Sequence, residues 1–214
     1  VVELIRGLDP DVIRRNLQEI RAEVGSGTEV LAATKYVAPE EIGALVEAGV
    51  TLYGENRAQD LAVKHADHRD QTWDFIGQLQ SRKVKQIVPL VRCIHSVGSD
   101  SVLAQLEAHG TPETQVLIQV NVAREPGKAG VLPEELDDFL ARARATGVAV
   151  TGLMTMPPLA PDPRDSARWF AALAELAAHH GLRELSMGTT QDYAIAAREG
   201  ATIVRVGTRL YTPR

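Results

Sequence analysis

The stretch "VLAATKYVAPEEIGALVEAGVTLYGEN", residues 30–56, holds a strand, a helix and a second strand in one reading frame. Residues 30–35 form a short apolar run. Pro39 ahead of Glu40 and Glu41 marks a helix start over 39–48, Gly49 marks its stop, and 52–56 resume the strand pattern. The same alternation runs on, with strands expected at 73–77, 93–97, 115–122, 148–156, 184–188 and 202–207. Helices are expected at 57–66, 80–89, 99–108, 133–145, 163–180 and 191–199, and an extra one at 10–24 precedes the first strand. Strict strand–helix alternation implies right-handed crossovers and a parallel sheet, and eight repeats imply closure into a (β/α)8 TIM barrel, with an open doubly wound sheet as the runner-up. The proline-rich "MPPLAPDPRD" at 156–165 reads as a loop between strand and helix, so residues 1–214 are expected to form a single domain.

Composition narrows the function. A formal net charge of −5, without an arginine-rich tract, gives no general attraction to nucleic acid. No apolar run approaches the roughly 20 residues that cross a bilayer, and the N-terminal residues lack a signal-peptide layout, so the expected location is cytoplasmic. The solitary Cys93 forms no internal disulfide, in keeping with a reducing compartment.

In a barrel of this kind chemistry gathers at the C-terminal ends of the strands. Lys35 is expected to end the first strand on the same side as Leu31 and Ala33, inside the barrel and partly desolvated, where a neutral amine serves Schiff-base chemistry. The alternative is a solvated lysine at a strand end. On the last strand Arg205 alternates with Val204 and Val206 and points into the same interior. It requires a partner there: a carboxylate, a ring nitrogen or a ligand anion. Ser186, Gly188, Thr189 and Thr190 precede a helix start near 191–192, and Gly207 and Thr208 follow the last strand. Glycine and hydroxyls at a helix start suit a phosphate, although Thr190 could equally be a plain N-cap. A lysine, an inward arginine and a phosphate cradle are the set that pyridoxal 5'-phosphate (PLP) demands for its aldehyde, ring nitrogen and phosphate.

With these residues assembled, the chain resembles the YggS/PROSC family of PLP-binding proteins, the PLP homeostasis proteins, over nearly its whole length. The matching stretches are "AATKY", "LYGENRAQD", "WDFIGQLQSRK", "VLIQVNV", "GLMTM", "SMGTTQDY" and "VRVGTRLY". The resemblance implies a fold similar to the N-terminal barrel of alanine racemase, with PLP held as a Lys35 aldimine and Arg205 beside the pyridine nitrogen. It also implies Asn56 near the ring and phosphate contacts from Ser186, Gly188, Thr189, Thr190, Gly207 and Thr208. The chain departs from the family's pattern at Asp74 (usually His), Arg82 (usually Asn), Thr189-Thr190 (usually Met-Ser) and Thr212 (often Gly).

An arginine facing the pyridine nitrogen disfavours its protonation and weakens the ring as an electron sink. Racemases with that arrangement draw a second acid/base group from an added domain and partner subunit, and a chain ending at Arg214 is expected to lack one. The expectation is therefore a monomeric cofactor carrier acting in intracellular PLP homeostasis, without catalytic residues, whose partners are PLP and PLP-dependent apoenzymes. The alternatives are a PLP-dependent racemase or lyase, for which Tyr36, Tyr53, His95 and Tyr193 are the candidate bases, and a PLP-free Schiff-base aldolase. No metal site is expected: His65, Asp67 and His68 read as a solvated helix end, and His179-His180 as a complement to a helix dipole. Gln119 and Asn121 are expected to line the interior, near the cofactor or in a structural network.

Overall fold

A computed structural model describes residues 4–159 and 161–213; residues 1–3, Ala160 and Arg214 lie outside the described residues. The strands are β1 (Glu29–Ala33), β2 (Leu52–Glu55), β3 (Thr72–Phe75), β4 (Cys93–Val97), β5 (Gln115–Gln119), β6 (Ala149–Met154), β7 (Glu184–Thr189) and β8 (Ile203–Val206). All pair in parallel, each with its sequence neighbours, and β8 returns to β1 to close the barrel. The eight expected strands are thus all present, and the open-sheet alternative is excluded.

The helices are α1 (Pro10–Val24), α2 (Ile42–Glu47), α3 (Ala58–Asp67), α4 (Val84–Ile87), α5 (Asp100–His109), α6 (Leu136–Ala145), α7 (Ala167–His179), α8 (Tyr193–Arg198) and α9 (Thr208–Tyr211). The proline-led starts at Pro39, Pro133 and Pro163 each begin with a short 3-10 turn before the α-helix proper. The α9 turn went unread in the sequence, because four residues carry no helical period. Helix α1 follows Asp9, whose side chain accepts from the Asp11 N–H at 2.8 Å. Its buried Asn16 donates to the carbonyls of Leu210 and Thr212, both at 3.0 Å, and accepts from Arg209 at 2.8 Å. The extra N-terminal helix therefore clamps α9, and with it the loop that follows β8.

Outward residues such as Val30, Ala32, Val116 and Val204 join one large apolar cluster between strands and helices. Their inward neighbours make two small clusters, Leu31, Leu52 and Ile203 against Ile76, and Cys93, Leu117 and Met154. The remaining interior is polar: Asp74, His95, Ser186 and Arg205 are all buried.

Candidate functional site

Strand β1 ends at Ala33, two residues before the lysine. Thr34 leaves the ladder by donating its N–H (2.9 Å) and hydroxyl (3.1 Å) to the Gly54 carbonyl, and the Val37 N–H returns to the Thr34 carbonyl at 2.8 Å. Lys35 consequently sits in the turn after the strand and is exposed, with its Nζ 4.7 Å from the Tyr36 ring centroid. This corrects the expectation of an inward, partly desolvated lysine: the turn, not the strand pleat, sets its direction. Lys35 nonetheless reaches the cavity wall.

Two devices hold that turn. The Ile5 N–H donates to the Tyr36 carbonyl (2.6 Å) and Ala38 returns to Ile5 (3.1 Å), so the segment before α1 straps the lysine loop. Beneath it Lys64, from α3, is 2% exposed; its Nζ donates to the Thr34 carbonyl (2.8 Å) and to Glu55 Oε2 (2.6 Å). Glu55 is itself fully buried and accepts from the Asn56 N–H at 2.7 Å. One ion pair thus fixes the loops carrying both Lys35 and Asn56.

A cavity of about 260 Å³ opens at the C-terminal ends of the strands and brings together Lys35, Asn56, Thr189, Thr190, Arg205, Gly207 and Thr208. Ser186 and Gly188 do not line it. Gly188 takes φ +87°, and a Cβ there would lie 2.5 Å from the Ala196 Cβ, so this glycine serves the close packing of α8. Thr190 is not an N-cap: its Oγ1 accepts from the Gly207 N–H at 3.1 Å and stitches the β7 loop to the β8 loop. Asp192 caps the turn instead, taking the Thr189 N–H at 2.7 Å.

Arg205 is 5% exposed. It donates to the Ser186 carbonyl (2.8 Å), Ser186 Oγ (2.5 Å), the Thr155 carbonyl (2.8 Å) and Met156 Sδ (2.9 Å). Among the described residues no carboxylate forms an ion pair with it, which removes the salt-bridge reading. Burial pushes its value down to about 10, partly offset by the charge of Asp192. Two further observations fit a ligand with polar acceptor and donor groups. The buried Asn56 Oδ1 has no hydrogen-bond partner among the described residues. A Cβ on Gly207 would meet nothing nearer than Ala33 at 3.8 Å, so the space above it belongs to the cavity. The Leu210 N–H closes the turn onto the Gly207 carbonyl at 2.8 Å, and the N–H groups of Thr208 and Arg209 precede that closure.

Behind Arg205 lies a chain of contacts that the sequence reading did not assemble. His95 Nδ1 is 2.9 Å from Ser186 Oγ and its Nε2 is 3.0 Å from Asp74 Oδ2. Arg92 grips Asp74 through both oxygens at 3.0 and 2.6 Å and donates to Glu29 at 3.0 Å. Burial would raise Asp74, but the hydrogen bonds from His95 and Arg92 outweigh it and hold the carboxyl below its usual value. Burial lowers His95, against the opposing pull of Asp74 and with the help of Arg205 and Arg92. A signal was available in part: Asp74 stands between Trp73 and Phe75 and Ser186 between Leu185 and Met187 within their strands, the same pattern that marked Arg205.

His95 therefore prefers to be neutral in the fold, whereas an unfolded histidine titrates near ~6.5. Its contribution to stability is complete above that pH and is lost as pH falls toward the lowered folded value, with a slope of at most about 1.4 kcal/mol per pH unit. Asp74 adds a second loss only below the carboxylate range of ~3.9. Denaturant unfolding at pH 7.5 and 5.5 is expected to show this drop in the wild type and a smaller one in His95→Gln. The difference isolates His95 from His65, which burial and Arg69 also lower.

Other expected residues lie apart. Gln119 donates to the Ala129 carbonyl (3.2 Å) and Asn121 to that of Glu125 (2.9 Å), so both brace the loop after β5 and the structural alternative holds. Tyr53 and Tyr193 are occupied with the Val50 carbonyl (2.8 Å) and Glu23 (2.7 Å), leaving Tyr36 as the candidate base at the cavity. Arg82 is exposed and bonds Gln80 at 3.2 Å. Asp137, His179 and His180 have ligand atoms within 4.8 Å of one another at the surface. No described helix is long and apolar enough to cross a membrane.

Residues 8–214 match the family described as alanine racemase, N-terminal domain. A pyridoxal phosphate homeostasis protein of Aquifex aeolicus is 36% identical, the match covering 94% of this chain and 95% of that protein. One of Deinococcus radiodurans is 39% identical over 91% of this chain and 95% of its own. Among solved structures, PipY of Synechococcus elongatus with PLP bound superposes with a TM-score of 0.82 at 30% identity, covering 94% of this chain and all of that one. Its form without PLP gives 0.84 at 31%, with the same coverage.

Proposed function

The chain belongs to the alanine racemase N-terminal domain family and, within it, to the pyridoxal phosphate homeostasis proteins, and from that premise we propose that it binds PLP in the cavity above β1 and β8 and acts in PLP homeostasis. The observation that carries the assignment of the site is Arg205, a buried guanidinium at the cavity floor with no carboxylate of its own among the described residues. Arginine only donates, so a ring nitrogen set against it must accept, and the cofactor is held with that nitrogen unprotonated. Lys35 is the covalent anchor, Asn56 offers its unpaired Oδ1 beside the ring, and Thr190 and Thr208 supply hydroxyl donors for the phosphate in a cradle whose wall Thr189 and Gly207 complete. Ser186 and Gly188 act behind this wall, the first by holding Arg205 and the second by seating α8.

The cofactor, when bound, supplies an aldehyde and an electron sink; this chain's residues mute the second. Of the four candidate bases only Tyr36 lines the cavity among the described residues, exposed beside Lys35; Tyr211, also in the wall, has its hydroxyl committed to the Ala33 carbonyl at 3.0 Å. That arrangement supports carriage rather than turnover, by a single-domain monomer working in the cytoplasm and handing PLP to apoenzymes. The experiment is to load the protein with PLP, reduce with borohydride and map the peptides. A pyridoxyl group on Lys35, with no exchange of amino-acid α-protons in D2O, supports the reading; steady exchange that depends on Lys35 establishes a racemase or lyase instead.

A further inference from the structure

Arg205 has no carboxylate in contact, yet it is joined to one through two neutral groups, Ser186 and His95. The direction of every proton in that chain follows from chemistry. Asp74 is locked as a pure acceptor by the bidentate Arg92 grip, so the His95 nitrogen facing it, Nε2, must carry the imidazole proton. In this fully buried ring, which desolvation keeps neutral, the other nitrogen, Nδ1, is then a lone pair and takes the Ser186 hydroxyl proton. With its proton turned to His95, Ser186 Oγ presents only lone pairs to Arg205 Nη1. The charged groups around this chain are Arg205 at one end, with Asp192 acting on it, and Asp74, Arg92 and Glu29 at the other, with the Cys93 thiol buried beside Asp74 and within the field of Glu184.

We propose that Asp74 and His95 are positioning residues of the cofactor site: they fix Ser186 as an acceptor toward Arg205 and so keep this guanidinium seated against the ligand ring. The proposal rests on the PLP reading above for what Arg205 faces, but the proton directions hold without any ligand. It also gives Asp74, a departure from the family's usual histidine, a definite task.

Asp74→Leu tests it because the expected result is a reversal. In the wild type His95 Nε2 and Arg92 Nη2 share Asp74 Oδ2; leucine removes that acceptor, so the imidazole proton moves to Nδ1, where Ser186 Oγ accepts it, and the Ser186 hydroxyl is driven to point at Arg205, donor against donor. Long-range 1H–15N NMR of histidine-labelled, unliganded protein reads the tautomer. The expected outcome is Nε2–H in the wild type and Nδ1–H in Asp74→Leu. Ser186→Ala leaves Asp74 and His95 intact and should keep Nε2–H. Both variants should lower PLP affinity roughly ten-fold, the scale of one misdirected buried hydrogen bond, while borohydride still fixes the ligand on Lys35. Wild-type Nδ1–H or a doubly protonated ring, an unmoved proton in Asp74→Leu, or wild-type affinity in Ser186→Ala overturns the proposal. If Asp74→Leu does not fold, the wild-type tautomer and the Ser186→Ala affinity decide it. A wild type that takes no PLP on Lys35 overturns the PLP reading instead, and the tautomers still decide the proton directions.

Discussion

Lys35→Ala protein, incubated with PLP and passed through a desalting column, is expected to emerge without a visible absorption band, and borohydride is expected to fix no pyridoxyl group on it. The lysine sits in an exposed turn held by other residues, Ile5, Thr34 and Lys64, so its removal should leave folding stability within about 0.5 kcal/mol of wild type. Loss of the band without loss of stability would separate a chemical role from a structural one. Retention of a covalent adduct, mapped to any other lysine, would move the anchor elsewhere. Lys64 is the lysine to watch in that experiment, since it lies under the same turn, but its Nζ is already committed to Glu55 and the Thr34 carbonyl.

Lys64→Ala is expected to have the largest effect on the fold. It strands a fully buried carboxylate whose partner stood 2.6 Å away, and breaking a buried pair from one side costs about 3–5 kcal/mol. The same change leaves the Thr34 carbonyl with the Val37 N–H as its remaining donor and loosens the carboxylate that holds the Asn56 N–H, so the two loops lose their common tie. Equilibrium unfolding in urea checks the stability loss. The double variant Glu55→Gln/Lys64→Met should recover most of it, because neither side chain then carries an uncompensated charge. A single variant as stable as wild type would mean that water reaches Glu55, contrary to its burial.

Much of the architecture was legible because its signals are local. Pro39, Pro133 and Pro163 mark helix starts and Gly49, Gly147 and Gly181 the stops after them, and β-branched runs lie between, so all eight strands could be located from neighbouring residues. Arg205 was legible for the same reason, being a charge at an inward position of an apolar strand. What escaped depends on contacts distant in sequence. Lys35 leaves the strand because Thr34 turns onto Gly54, 20 residues away. The strap from Ile5 to Tyr36 has no periodicity of its own, and Asn16 finds the carbonyl of Leu210, 194 residues on. The line from Asp74 through His95 to Ser186 joins β3, β4 and β7, and only closure of the barrel puts their inward side chains within hydrogen-bond reach. Ser186 was assigned to the phosphate for want of that closure; in the fold it stands behind Arg205.

The most direct test of the account is a crystal structure of the protein grown with excess PLP. The expected result is unbroken electron density from Lys35 Nζ into the ligand, with the ring nitrogen against Arg205 and the phosphate between Thr189-Thr190 and Gly207-Thr208. Density for PLP at another surface, with Lys35 free and Arg205 facing solvent alone, would contradict it.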